Sequence, residues 1–406
     1  MSEEKTDIYR AETYQYPLPE ERIARFPLPE RDQSKLLIYR EGVIRQDVFA
    51  RLSDHLPTGS LLVFNDTKVI PARLMFRKKT GAVIEIFCLD PYDPPEYSVA
   101  FGRHGECRWK CLIGNRKRWK EGPLEDIRES PEGKVRLTAT LENSGNESIV
   151  RFNWDPPHHS FAGVLSLFGI VPLPPYLKRE AVELDRERYQ TIYARNNGSV
   201  AAPTAGLHFT PHVLKLLTEK GISSAHLTLH VAAGTFQPVK HEDIRQHEMH
   251  TEHFSVSSAF VTRLATHDAP VIPVGTTSVR TLESLYILGT NLLTGRKTKD
   301  HLLVEQWEWK HIPQDIPRKE ALDALAKWMH SKGMDRLFAS TRLMIIPGYR
   351  FALADAMITN FHQPGSTLLM LVAAYTGNDW RKIYTYALEN GFRFLSYGDA
   401  CLLFRY

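Results

Sequence analysis

VIPVGTTSVRTLESLYILG, residues 271–289, reads as a buried strand, a glycine–threonine turn and a helix. The apolar run before Gly275 suits a strand, and the small turn residues open a segment with helical spacing. Its neighbours repeat the alternation. HVLKLLTEKG (212–221) places Val213, Leu216 and Leu217 on one helical face and closes on Gly221, and SAHLTLHV (224–231) alternates as a strand. SLLVFNDTKVIPARL (60–74) adds a buried strand, a polar turn at Asn65 and Asp66 and an extended run through Pro71. Strands interleaved with helices imply α/β layers.

Two further segments are expected to be helical. DRERYQTIYAR (185–195) carries Tyr189, Ile192 and Tyr193 opposite its charges, and IPRKEALDALAKWMHSKG (316–333) spaces Leu322, Leu325 and Met329 as a docked surface helix. Between about Phe76 and Asp155 the texture changes. Short β-rich pieces, AVIEIFCL (82–89) and KVRLTATL (134–141), alternate with Gly, Pro, Asn and Asp clusters, as in a small all-β module.

At 406 residues the chain has room for two or three domains, and 43% hydrophobic with 24% charged residues is an ordinary globular balance. The net charge of +4 is too small to identify a partner, so an anionic ligand must meet a local patch. Four cysteines, Cys88, Cys107, Cys111 and Cys401, form no Cys-x-x-Cys pair and suit a reducing compartment. The start MSEEKTDIYR has no apolar leader, and no run approaches the ~18 apolar residues of a membrane span. A cytoplasmic protein with no membrane contact is expected.

Three tempting motifs fail on spacing. HEMHTEH (247–253) has Thr251 where a zinc-protease helix needs its second histidine, although His247 and His250 could still share a helical face with Glu252 near. GTNLLTGRKT (289–298) has Arg296 where a phosphate loop requires lysine, and no G-x-G-x-x-G follows a strand. Neither a metal nor a bound cofactor is expected.

Four stretches combine small residues with Thr, His and Asn: GSVAAPTAGLHFT (198–210), LTLHVAAGTFQPV (227–239), PVGTTSVRTLES (273–284) and ITNFHQPGSTLLMLVAAYTG (358–377). Gly and Ala let backbone approach a ligand, while Thr, Asn and amides orient it. Any one could be a capped turn; four together mark a small-molecule pocket. With FNDTKVIPARL (64–74), PLPPYLKR (172–179), YQTIYA (189–194), HEMHTE (247–252), PGYRF (347–351) and SYGDA (396–400), they resemble, in order, the S-adenosylmethionine:tRNA ribosyltransferase-isomerase family of queuosine biosynthesis.

That resemblance implies an α/β/α sandwich-like main domain, residues 1–75 and 160–406, with a small β-barrel domain inserted at 76–159. It also implies transfer and isomerisation of the ribosyl group of S-adenosylmethionine onto 7-aminomethyl-7-deazaguanine at the tRNA wobble position. Epoxyqueuosine-tRNA forms, and adenine and methionine leave. The chemistry is proton transfer, so His208, His230 and His362 are acid–base candidates, followed by Asp66 and Glu283. Asn65, Thr204, Gly206, Thr235, Phe236, Thr276, Thr277 and Asn360 are expected to hold the donor.

RHGECRWKCLIGNRKRWK (103–120) carries seven Lys/Arg against one Glu, with Trp109 and Trp119 interleaved. Arg108, Lys110, Arg116, Lys117, Arg118 and Lys120 could neutralise phosphates of a tRNA anticodon stem-loop while the indoles stack on bases. A solvated hairpin with both tryptophans in a core is the competing reading. A monomer is expected. Ala232, Gln363 and Gly365 depart from the family pattern beside the candidate site, and residues between Ser284 and Arg342 exceed its usual connection. Two alternatives therefore stay open: a paralogue with another amine or nucleobase acceptor, and a non-catalytic RNA-binding protein.

Overall fold

Two hydrogen-bonded sheets meet edge to edge to form the main layer. The computed structural model describes residues 7–120, 122–144, 147–231, 239–296 and 302–405. One sheet runs Ala356–Asn360, Ala400–Phe404, Lys35–Arg40, Val43–Val48; the other runs Val271–Pro273, Leu61–Asn65, Ser223–His230, Glu252–Ser257, Arg336–Thr341, Leu303–Val304. A parallel bridge from Val274 to Ile358 joins them.

Both faces of this layer are buried, as the alternation of side chains along a strand requires. Leu61 and Val63 face a cluster with Leu282, Leu285, Leu322, Leu325, Leu371 and Ile383, from the helices Thr276–Leu293, Arg318–Ser331, Thr367–Thr376 and Trp380–Glu389. Leu62 and Phe64 face the opposite cluster, with Val213 and Leu217 of the helix Pro211–Glu219. Helices on both faces of one layer give the expected α/β sandwich.

The helix Thr276–Leu293 is buried along most of its length. At Gly289 a Cβ would lie 2.1 Å from the Ala321 carbonyl oxygen, so a glycine lets the helix Arg318–Ser331 press onto it. That segment beyond the family's usual connection is therefore docked on the main layer, burying Leu322, Leu325 and Met329.

The β-rich stretch forms a seven-stranded antiparallel sheet in the order Gly169–Ile170, Arg73–Arg77, Val83–Asp93, Glu106–Gly114, Glu147–Asp155, Gly133–Ser144, Leu124–Ser130. It curls until Arg73–Arg77 approaches Leu124–Ser130, and the helix Phe161–Phe168 fills its interior. Its cluster extends to Ile70 and Ala72 on one side and Phe168 on the other.

Two local expectations change. Helix replaces only part of 185–195: it spans Glu183–Arg188, then stops. Gln190 turns its side-chain amide to both main-chain groups of Val69, and Tyr189 and Tyr193 enter separate clusters, which a continued helix would not allow. His247 and His250 share no helix, because 247–251 runs without regular structure into the strand Glu252–Ser257. No described helix is long and apolar enough to cross a membrane.

Candidate functional site

Where the two sheets meet, the chain leaves both strands through small residues. Gly275 (φ +90°) follows Val271–Pro273, and its N–H donates to Ile358 O at 2.8 Å. The cleft that opens there spans about 700 Å³, open solvent at its mouth included, and is lined by Ala201–Ala205, Gly275–Thr277, Thr359–Gln363, Ser366 and Leu395–Ser396, among others. Ligands of open α/β sheets bind at such C-terminal strand ends. The N-terminus of Thr276–Leu293, which has no side-chain cap, also lies at this edge. Its free N–H groups and dipole favour an anionic ligand group.

Among the expected donor-binding residues, Thr204, Thr276, Thr277 and Asn360 line the cleft. The Thr277 hydroxyl is buried with no hydrogen-bond partner among the described residues. Gly206 is buried beneath the loop, and a Cβ there would sit 1.9 Å from the Tyr193 hydroxyl. Asn65 lies elsewhere: its Oδ1 accepts from Thr67 N–H (3.2 Å) and Leu229 N–H (3.0 Å), and its Nδ2 donates to Leu229 O (3.0 Å). It braces adjoining strands. Thr235, Phe236 and Ala232 lie outside the described residues.

The three histidines separate. His362 lines the cleft; Nε2 pairs with the Thr359 hydroxyl at 2.8 Å, and no described residue partners Nδ1. His208 lies behind it. Thr204 Oγ1 donates to Asn360 Oδ1 (2.8 Å), Asn360 Nδ2 donates to His208 Nε2 (3.2 Å), and His208 Nδ1 meets Ser34 Oγ (2.8 Å). Accepting from Asn360 leaves the ring proton on Nδ1, directed at Ser34. His230 does not line the cleft; it stacks on Tyr97 at 4.6 Å and presses against Gly198, where a Cβ would be 2.3 Å from its ring. Burial pushes His208 and His362 down to about 3 and His230 to about 4, His253 adding to the last. All three are neutral near pH 7.

The two carboxylates serve local structure. Glu283 is fully buried and accepts from Tyr349 OH and the N–H groups of Ala352, Leu353 and Ala354 at 2.9–3.1 Å, so it holds a loop. Burial raises its pKa, the four donors opposing. Asp66 Oδ1 accepts from Thr228 Oγ1 (2.7 Å) and Asn196 Nδ2 (3.0 Å), tying two strands.

On the β insertion the indoles follow the core reading. Trp109 and Trp119 are 0% and 1% exposed, so stacking on RNA is excluded for both. Arg108 is paired with Glu142, Asp93 and Glu106, and Arg116 Nη1 donates to Trp119 O. Lys110 is half-buried, whereas Lys117, Arg118 and Lys120 are respectively exposed, exposed and exposed. The loop after Asp155 brings His158, His159 and Glu132 within metal-ligand reach of one another.

Other site features were not singled out from sequence. Tyr176 of PLPPYLKR and Ser396 of SYGDA, hydrogen-bonded at 2.6 Å, form part of the cleft wall. Glu252 and Arg280 form a buried ion pair, with Arg280 Nε on Leu343 O. An arginine inside a buried helix was the available signal; for Tyr97, contributed by the insertion, there was none.

The fold and cleft define a small-ligand α/β enzyme carrying a curled β insertion. Residues 11–403 match the family model described as queuosine biosynthesis protein, and the chain belongs to that family. It is 38% identical over 403 residues to the S-adenosylmethionine:tRNA ribosyltransferase-isomerase of Syntrophomonas wolfei, covering 98% of each chain. With the enzyme of that name from Trichlorobacter lovleyi it shares 38% over 397 residues, 96% of this chain and 98% of that one. A solved S-adenosylmethionine tRNA ribosyltransferase from Thermotoga maritima is 27% identical, with 96% and 99% coverage and a TM-score of 0.45.

Proposed function

We propose that this chain transfers and isomerises the ribosyl group of S-adenosylmethionine onto 7-aminomethyl-7-deazaguanine at the wobble position of tRNA, releasing adenine and methionine. The observation that carries the reading is the convergence of three motif-bearing segments, 201–205, 275–277 and 359–366, on one cleft in a chain matched to its family from residue 11 to 403.

The chemistry begins with loss of a proton from the ribose 5′ carbon, acidified by the sulfonium. Adenine departs, and the primary amine of the modified base attacks. The site must offer an unprotonated base, and His362 is neutral in the cleft with no described residue partnering Nδ1. His208 acts one step back, holding Asn360, which with Thr204 orients the ribose. Neutral imidazoles also spare the cationic donor a repulsive neighbour. The helix start at Gly275–Thr277 suits the methionine carboxylate.

We take the protein to act as a monomer, and four free, buried cysteines suit a cytoplasmic setting. We take 76–159, with the flanking strands Arg73–Arg77 and Gly169–Ile170 and the helix Phe161–Phe168 that pack with it, as the inserted domain and the rest as the catalytic one, the anticodon stem-loop being shared between them. The test is incubation with S-adenosylmethionine and precursor-bearing tRNA, then nucleoside mass spectrometry. Epoxyqueuosine is the expected product. Donor binding without that product overturns the acceptor and favours the paralogue; tRNA binding without donor binding favours the RNA-binding module.

A further inference from the structure

Beside the cleft lies a second cavity, about 300 Å³, sharing Ser396 with it and lined by Arg31, Ser34, Arg188, His208, Arg393 and Tyr397, among others. Three guanidiniums here make no carboxylate ion pair among the described residues. Arg31 donates to the carbonyls of Gln190 (2.6 Å) and Glu187 (3.1 Å), Arg188 to those of Leu28 (2.6 Å) and Pro29 (3.1 Å), and Arg393 to that of Phe26. Arg188 Nε and Arg393 Nη1 are buried with no hydrogen-bond partner among the described residues.

Of the neighbouring carboxylates, Glu187 acts on Arg31 through space and two others are engaged. Asp399 accepts from the main-chain N–H groups of Lys35 and Arg393, and Asp185 accepts from Arg179, Val182 N–H and Tyr397. A buried, unpaired donor costs roughly 1–3 kcal/mol, more on a charged group, so two on cations lining one cavity suit an anionic ligand. Guanidinium forks match phosphate oxygens in geometry as well as charge.

We infer that Arg31, Arg188 and Arg393 seat a backbone phosphate of the RNA acceptor next to the nucleotide that enters the cleft. This rests on the function proposed above. A nucleotide's flanking phosphates lie one sugar away from its base, which suits a seat sharing a wall residue with the cleft. The other candidate, the donor's single carboxylate, already has the free helix start at Gly275–Thr277. Three cations also exceed what one carboxylate needs.

The test compares the full-length wild type with Arg188→Gln, Arg393→Gln and Arg393→Lys. Precursor-bearing anticodon stem-loop RNA is titrated by fluorescence anisotropy from 50 to 300 mM salt, about the range over which phosphate contacts separate, and S-adenosylmethionine binding is measured by equilibrium dialysis. Each Gln variant should bind RNA about tenfold more weakly, with a salt slope shallower by ~1 and unchanged donor affinity. The Lys variant should recover the slope but not the full affinity. Unchanged RNA binding in folded variants, or a loss confined to the donor, overturns the inference.

Because the arginines also brace residues 26–29, a Gln variant that fails to fold is replaced by a measurement on wild type. Pyrophosphate at constant ionic strength should raise its thermal midpoint and compete with the RNA; no shift and no competition overturn the inference. Wild type that binds no RNA refutes the proposed function itself, whereas RNA-binding wild type with equally tight variants refutes only the phosphate seat.

Discussion

The two cavities share Ser396 and are joined by the Thr204–Asn360–His208–Ser34 chain, yet one is walled by alanine, threonine and neutral imidazole and the other by three arginines. The difference lies in charge. On the function proposed above, a cationic sulfonium donor would sit where the lining carries no arginine or lysine, and a polyanionic acceptor where three arginines stand. One wall of hydrogen bonds separates sites that must cooperate without exchanging ligands.

The most severe way to break this contrast is to remove the base from the neutral side. His362→Ala should reduce product formation ~10²- to 10⁴-fold, with donor affinity nearly retained; a loss below tenfold would take His362 out of the chemistry. Acid probes both sides at once. His208, His230 and His362 stay neutral when folded down to about 3, 4 and 3, whereas an unfolded chain protonates near 6.5. Stability should thus be complete above about pH 6.5 and fall as pH drops toward those folded values, by about 2 kcal/mol per histidine at pH 5. Urea midpoints at pH 7.5 and 5 measure it, and equal midpoints would contradict the burial argument.

Asn360→Ala cuts the wall itself. It should cost about 1–3 kcal/mol of stability and weaken both donor and RNA binding; weakening of one ligand alone, by calorimetry, would show that the cavities are independent. The smallest effect sharpens the neutral side. Thr277→Val deletes a hydroxyl with no partner among the described residues, so donor affinity should drop by about 1 kcal/mol while the melting temperature holds or rises. A fall in melting temperature with unchanged affinity would make the hydroxyl structural.

The layer architecture was legible because strands such as Leu61–Asn65 and helices such as Pro211–Glu219 carry their period in consecutive residues. Thr204, Thr276, Thr277, Asn360 and His362 were legible as cleft residues because their loops combine glycine or alanine with polar groups. What failed depended on direction. Trp109 alternates inward on its strand, and nothing local distinguishes that from an RNA-facing indole. Glu283 looks like an acid until the loop 349–354 supplies its four donors. The arginine cavity was invisible because Arg31, Arg188 and Arg393 are brought together across the length of the chain, each in a segment without a ligand-binding pattern.

The bridge from Val274 to Ile358 is the narrowest joint in the main layer, and the cleft opens just beyond it. Gly275–Thr277 hang from one side of that joint and Thr359–Gln363 from the other. A donor touching both sets would act as a splint across a seam that the backbone fastens at the Val274–Ile358 bridge and at the hydrogen bond from Asp355 N–H to Val271 O. Occupancy should therefore add to the layer's resistance to unfolding, because the ligand ties together loops that leave different sheets.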